Sequence, residues 1–487
     1  MRSFADSNGD GIGDLAGIVS HFDYLNDGKP GGDDLEIDLL WLMPTQPSPS
    51  YHGYDVSDYD GIEPDYGTLT DFDALVQLAH SRGVKVVIDF VANHSSSQHP
   101  WFTASAGASS HADWYVWRST QPEAAWKQPW AGGGKVWHKS GNRWYYGLFS
   151  PGMPDLNFAA PAVSQALHAS AKLWLDRGVD GFRLDAVRYL VESGPGVGQQ
   201  DTVPTQQWWQ EFASVVTKAK PGALLIGEAW ASNAIASKYH GAGAGLAMTF
   251  DFDAQSALLG AAQSGLADGV AAVVCSEDPA FPGGFARATF LANHDMLRWP
   301  SQVADAHQRK AAIAALLLLP GTPFLYYGEE LAAENGTGGG DEAKRLPMAW
   351  NSSPGGGFTT GQPWAALGPN QATANVKAQL ADPASHLRWV QQWLRTRKQH
   401  PALQTGALVL YPAPDGWLVG LRSLGADRVL FAVHFDGAVG PSQLPPLGGL
   451  GLAAQASNLL TGTVLPIVAG TVTLPALPQA GAMAFAL

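Results

Sequence analysis

"HSRGVKVVIDFVANH" (residues 80–94) and "LDRGVDGFRLDAVRY" (175–189) are two versions of one unit: a helix tail, a glycine, then an apolar run ending in polar side chains. The glycine suits a helix C-cap, and the β-branched run after it suits a buried strand. "VKVVIDFV" (84–91) and "DGFRLDAV" (180–187) are therefore predicted strands. The same signal recurs at "IDLLWLMP" (37–44), "ALLIGEAW" (223–230), "AMTFDF" (247–252), "ATFLANHD" (288–295) and "TPFLYYGEE" (322–330). Helical periodicity fills the intervals, as in "DFDALVQLAHSRG", "QALHASAKLWLDRG" and "AHQRKAAIAALLLLPG". Strands alternating with helices imply a parallel sheet, and this many units imply an α/β fold of the (β/α)8 TIM-barrel type. Seven strands are countable. The eighth should precede residue 5, where only "MRSF" stands. The first barrel strand is thus expected to be largely missing, with the natural chain beginning upstream of Met1.

Two stretches break the alternation. Seven of the 18 tryptophans fall between residues 95 and 160, among Gly-rich turns, which predicts an inserted domain there. From residue 402 to 487 short alternating segments with Gly and Pro turns predict a C-terminal antiparallel β domain, a sandwich. The barrel then comprises residues 1–94 and 161–401.

Composition bounds the function. Of the 487 residues, 46% are hydrophobic and 15% charged, enough for a large core. A net charge of −14 argues against nucleic acid or an anionic membrane as partner. The longest apolar run fits a buried helix rather than a membrane span. Cys275 is the one cysteine, so no intrachain disulfide forms. No signal peptide opens the chain.

Chemistry in such a barrel sits at the C-terminal strand ends. That rule selects Asp89 with His94, Arg183 with Asp185, Glu228, and His294 with Asp295. Arg183 and Asp185 are two apart and point to the same side of a strand. The arginine would hold Asp185 ionised, as a nucleophile requires. Glu228, beside Ala229 and Trp230, would be partly buried and raised in pKa, as a general acid requires. An ionised nucleophile beside a protonated acid is the arrangement of glycoside hydrolysis. Asp295 would add negative charge or hydroxyl contacts for an oxocarbenium-like transition state. A zinc hydrolase is the rival, but it needs clustered histidines, and the sequence has no His-x-His pair. A single strand-end carboxylate is usually a cap or a solvated charge; four strand ends together are not.

"DFVANH" (89–94), "GFRLDAVRY" (181–189), "IGEAW" (226–230), "FLANHD" (290–295) and "MPDLNF" (153–158) resemble, in order and spacing, the signature regions of the α-amylase family of glycoside hydrolases, family 13. The resemblance implies a catalytic barrel, an inserted domain B and a C-terminal β domain. It implies Asp185 as nucleophile, Glu228 as acid/base and Asp295 as transition-state stabiliser. Arg183, His94 and His294 would hold the sugar at the cleavage point, with Tyr54 as the aromatic platform beneath it. A catalytically silent binding subunit would typically lose triad residues, and all three are present.

"ADSNGDGIGDLAGI" (5–18) has EF-hand spacing through position 9: Asp6, Asn8, Asp10, the Ile12 carbonyl and Asp14, with Gly11 at the sharp turn. Position 12 is Gly17 instead of a bidentate Glu, and no helix precedes it. Relatives resembling the oligo-1,6-glucosidases carry a similar loop with one structural calcium. A structural Ca2+ clip rather than a sensor is the expectation.

Specificity is read from finer likenesses. Exo-glucosidases place an acidic residue three before the stacking tyrosine; here that residue is Tyr51, as in open-cleft amylases. "MPDLN" resembles the amylase, neopullulanase and intermediate groups, whereas the loop 6–14 and "RLPMAW" (345–350) resemble the glucosidases. The expectation is an intermediate-type α-amylase cutting internal α-1,4 bonds of starch or maltodextrins; an exo-α-glucosidase or α-glucosyl transferase is the alternative. It is expected to be a monomer, with no partner beyond its α-glucan, and the substrate favours a secreted or periplasmic location.

Overall fold

The computed structural model describes residues 1–107, 109–276, 286–444, 446 and 454–487. Seven strands pair in parallel in chain order: Leu39–Leu42, Lys85–Phe90, Gly181–Leu184, Leu224–Gly227, Met248–Phe250, Ala286–Thr289 and Thr322–Pro323. Each lies on or overlaps a predicted one. The later ones are shorter than predicted, because the ladder stops where the polar strand-end residues turn into the mouth. Pro323 also has no N–H to donate.

Residues 1–4 form a turn, closed by Phe4 N–H on the Met1 carbonyl at 2.9 Å, where a strand remnant was expected. Leu39–Leu42 and Thr322–Pro323 are consequently the two edges of the sheet among the described residues. The curl nonetheless brings the edges' interior side chains together: Trp41 lies edge-on to Phe324 at 6.4 Å. The architecture is a TIM barrel, seven of whose strands lie among the described residues, carrying a C-terminal β domain.

Local chemistry explains the helices that face the sheet. Leu69–Ser81 starts at a reciprocal capping box between Thr68 and Asp71 and buries Phe72, Leu75, Val76 and Ala79. Pro161–Asp176 begins at a proline and buries Val163, Leu167, Ala171 and Trp174. Ala306–Leu318, capped by Asp305, is buried along most of its length between the barrel and the C-terminal domain.

Between the second and third strands, Trp117–Arg118, Trp137–Ser140 and Arg143–Tyr146 form a small antiparallel sheet. Its segment returns to the barrel through an antiparallel bridge between His94 and Asp155 and a bond from Leu156 N–H to the Asn93 carbonyl at 3.0 Å. The C-terminal region is a six-stranded antiparallel sheet, Ala407–Tyr411, Trp417–Leu424, Asp427–His434, Gly481–Ala486, Gln455–Asn458 and Val464–Pro466 in spatial order, with a two-stranded ribbon, Ser442–Gln443 and Thr473–Leu474. Arg422, fully buried, ties it to the barrel by donating to the Leu318 carbonyl at 2.8 Å.

The helix Leu15–Ser20 runs against the N-terminal turn, and an alanine Cβ at Gly17 would stand 2.0 Å from the Ala5 carbonyl oxygen. Gly260, inside the helix Phe252–Ser264, has no such neighbour within 4 Å. Gly260→Ala should therefore stabilise the fold by about 0.5–1 kcal/mol through backbone entropy, whereas Gly17→Ala should destabilise it by about 1–3 kcal/mol through overpacking. Denaturant midpoints of the two variants check this reversal of sign.

Candidate active site

The ladder continues just past the strand ends and sets the two central carboxyls. Asp185 N–H donates to the Phe90 carbonyl at 3.2 Å, and Glu228 N–H to the Leu184 carbonyl at 2.9 Å. Between them Ala186 takes a left-handed φ of 50°, and its N–H points at Glu228 Oε2, 3.3 Å away. A non-glycine residue in that region carries a cost of about 1–2 kcal/mol, offset here by the packing around it.

Arg183 is the centre of the site. Its Nη1 donates to Asp185 Oδ1 at 2.7 Å and to both oxygens of Asp89 at 2.9 and 3.1 Å. Its Nη2 lies 2.8 Å from Glu228 Oε1. The sequence paired Arg183 with Asp185 alone; the fold adds Asp89 and Glu228 to the same guanidinium. Tyr54 reaches in from the loop after the first strand, donating to Asp89 Oδ2 at 3.1 Å and lying 2.7 Å from His294 Nε2. Its ring stacks on His294 with centroids 5.5 Å apart.

Asp295 stands at the rim, its side chain 32% exposed against 12% for Asp185 and Glu228. Its Oδ2 is 3.0 Å from His294 Nε2, and its Oδ1 accepts from Arg345 Nη2 at 2.8 Å. Arg345 also donates to the His294 carbonyl, and Lys344 Nζ to that of Asp295. His94 is buried on the inserted-domain side, its ring 5.2 Å from that of Phe149. Asp185, Glu228, Asp295, Tyr54, His94, Arg183 and His294, separated by up to 241 positions in sequence, thus gather at one mouth.

The matching family model is the alpha amylase catalytic domain, over residues 1–406. The chain belongs to the α-amylase family of glycoside hydrolases. It is 38% identical over 356 residues to "Alpha-amylase 3" of Dictyoglomus thermophilum, a match covering 72% of this chain and 66% of that protein. It is 32% identical to a "Probable alpha-glucosidase" of Rhizobium meliloti over 93% of this chain and 92% of that one. Among solved structures, an alpha-amylase from H. orenii superposes with a TM-score of 0.83 at 32% identity, covering 100% of this chain and 97% of that one.

Electrostatics distinguishes the carboxyls of this family member. One buried cation faces three carboxyls, so full ionisation of all three is unfavourable. Burial, with the charges of Asp185 and Asp295, raises Glu228 to about 8 against the opposing pull of Arg183. Burial raises Asp89 to about 7 in the same way. Asp295 moves oppositely: burial would raise it, but His294, Arg345 and Arg183 outweigh burial and hold it well below the usual carboxylate range. Burial lowers His94 and His294, and at His294 the charge of Asp295 opposes the burial.

Asp89, Lys344 and Arg345 received no role from the sequence. Asp89 carried a visible signal, its place at a strand end. Arg345 stood inside "RLPMAW", but its contact with Asp295 spans 50 positions and no periodicity encodes it.

The loop 6–14 lies outside the mouth. Asp6 Oδ1 accepts from the amides of Asn8 and Gly9, and Oδ2 from Gly11 N–H and the Thr359 hydroxyl. Asn8 and Asp10 cap the amides of Asp10 and Ile12, while Asp14 caps the helix Leu15–Ser20 through Gly17 N–H. Gly11 has φ 91°, the sharp turn expected of it. Among the described residues no three His, Cys, Asp or Glu side chains form a metal-holding group. The donors are all oxygen, which suits calcium chemically, and in the loop Asp6 and Asp14 also accept from backbone amides.

Because Glu228 is raised, its proton, and the capacity to act as an acid, is fully present in the ordinary carboxylate range and lost as pH rises through about 8. Turnover of maltoheptaose, whose sugar leaving group needs that proton, should show an alkaline limb near that value. Glu228→Gln should lower kcat by about 10²–10⁴-fold and abolish the limb.

Proposed function

We propose that this protein is a retaining α-glucan hydrolase that cuts internal α-1,4 bonds of starch and maltodextrins, an intermediate-type α-amylase. The observation that carries the reading is the shared guanidinium of Arg183, which holds Asp185 on Nη1 and Glu228 on Nη2. Asp185 attacks the anomeric carbon while Glu228, kept protonated, gives its proton to the departing glycosidic oxygen. Water then enters, Glu228 takes its proton, and the glycosyl–Asp185 ester is hydrolysed with retention. Asp295, ionised and at the rim, faces the positive charge that develops on the ring. Arg183, His94 and His294 bind the sugar, and Tyr54 underlies it.

The internal cleavage site is supported at Tyr51. Its ring lies 5.4 Å from Trp364 and beneath the Arg345 guanidinium at 5.7 Å, an aromatic surface where a pocket-closing carboxylate would stand. The alternative, an exo-acting α-glucosidase or α-glucosyl transferase, draws support from the glucosidase relative matched along nearly its whole length. Reducing-end-labelled maltoheptaose separates them. Labelled fragments of intermediate size should appear early; stepwise loss of single glucose units from the unlabelled end would make the enzyme exo-acting. The anomer first released, read by NMR, should be α.

The loop Asp6, Asn8, Asp10, Ile12 and Asp14 is proposed to hold one structural Ca2+, on the strength of its all-oxygen donors and their order. Asn8 and Asp10 are exposed at the loop tip, where a cation arrives from solvent. Thermal melting should fall with EDTA and recover with Ca2+ but not with Mg2+, whose octahedral demand such a loop does not meet. An Asp10→Ala variant should lose the response.

A further inference from the structure

Of the 18 tryptophans, sixteen are buried or half-buried, and two, Trp130 at 40% and Trp230 at 44%, are exposed. Trp130 belongs to the inserted domain, where tryptophans fill the domain's own core: Trp126 and Trp137 pack with Tyr146 there. Trp130 stands apart on a hairpin tip, and the tip is firmly built. Gln128 Nε2 donates to the Leu148 and Phe149 carbonyls at 3.0 and 3.1 Å. Its Oε1 accepts from Gly134 N–H at 2.7 Å, and Gly133 N–H closes on the Trp130 carbonyl at 3.1 Å.

The ring so presented leads into the site. Trp130 lies over Phe149, centroids 5.8 Å apart and planes 28° apart, and Phe149 reaches the His94 ring at 5.2 Å. Trp130 also meets the edge of Tyr189 at 6.3 Å. The adjoining Arg188 donates to the carbonyl of Trp230, two residues beyond Glu228, at 2.6 Å. A continuous aromatic wall therefore runs from a buried histidine of the cleavage point to solvent, past the loop that carries the acid. An exposed indole with a rigid aromatic backing has lost little entropy still to lose, and the C–H face of a glucose ring is its apolar complement.

We propose that Trp130 is a binding platform for a glucosyl ring of the α-glucan on the leaving-group side of the scissile bond. The side is set by Glu228, so the proposal rests on the reading of Glu228 as the acid. Arg188 acts here as a positioning residue: held by Asp201 at 2.5 Å and by the Trp230 carbonyl, it braces the loop and does not present its charge to the sugar.

The test compares Trp130→Ala, Trp130→Leu and Trp130→Phe with the wild type. On maltoheptaose, kcat/KM for Ala and Leu should fall about tenfold more than on 4-nitrophenyl α-maltoside, which carries no sugar beyond the scissile bond. Phe should recover most of the difference. In a Glu228→Gln background, calorimetric affinity for maltoheptaose should drop by the same factor. Equal losses on both substrates, or unchanged affinity in the Leu variant, would overturn the platform. The wild type's labelled products judge the proposed function separately, because calorimetry on the inactive background reads binding whatever the cleavage pattern.

Discussion

The guanidinium of Arg183 is the interaction on which the site depends. Three carboxyl groups from three strand ends converge on it inside the barrel mouth, where water does not screen them. A single cation cannot neutralise three anions, and the protein resolves the conflict by leaving protons on the carboxyls that are hardest to ionise. Asp89 and Glu228 are pushed up, while Asp295, with its own cation in Arg345, is pushed down. Acid and anion coexist in one mouth because the charges around them differ, not their chemistry. Removing Arg183 would leave uncompensated buried charge, which is more damaging than losing an ion pair at the surface.

The rest of the molecule serves to hold that constellation. The parallel ladder delivers Asp89, Arg183, Asp185 and Glu228 to one level, since neighbouring strands are in register: Asp89 pairs with Arg183, and Arg183 with Ile226. The inserted domain closes one side through His94 and Asp155. The segment 341–345 closes the other through Lys344 and Arg345. Asp341 lies 2.9 Å from Lys344 and 3.5 Å from Arg345, so the two cations that fix Asp295 share a carboxylate of their own. The C-terminal domain is fastened to the helix that buries the barrel's back by Arg422, and Arg397 of the barrel donates to the Leu317 carbonyl of that same helix.

Much of this was legible in the chain. The repeated helix–glycine–strand unit announced the parallel sheet because buried strands are unusually uniform in composition. Strand-end polar residues announced the site because a parallel barrel sends all its C-terminal ends one way. Legibility failed where the decisive relation was not periodic. Asp89 joins Arg183 only because the second and third strands pair in one register. Trp130 separates from six other tryptophans only through a hairpin tip that Gln128 ties to Phe149. The loop 6–14 reads like a metal site, and in the fold its side chains also bond the loop's own amides and cap a helix, two uses that the same residue types serve equally well and that sequence alone does not separate.

What the sequence determined alone is therefore the inventory and the order: which side chains stand at strand ends, which segments alternate, and which regions break the alternation. These follow from covalent neighbourhood and from periods of two and 3.6 residues, which are local. Only the tertiary structure decided which groups share one cation, which carboxyl keeps its proton, and which indole stays in solvent. Those outcomes depend on burial and on distances between residues far apart in the chain. Both are properties of the folded surface and exist only once the chain has closed on itself.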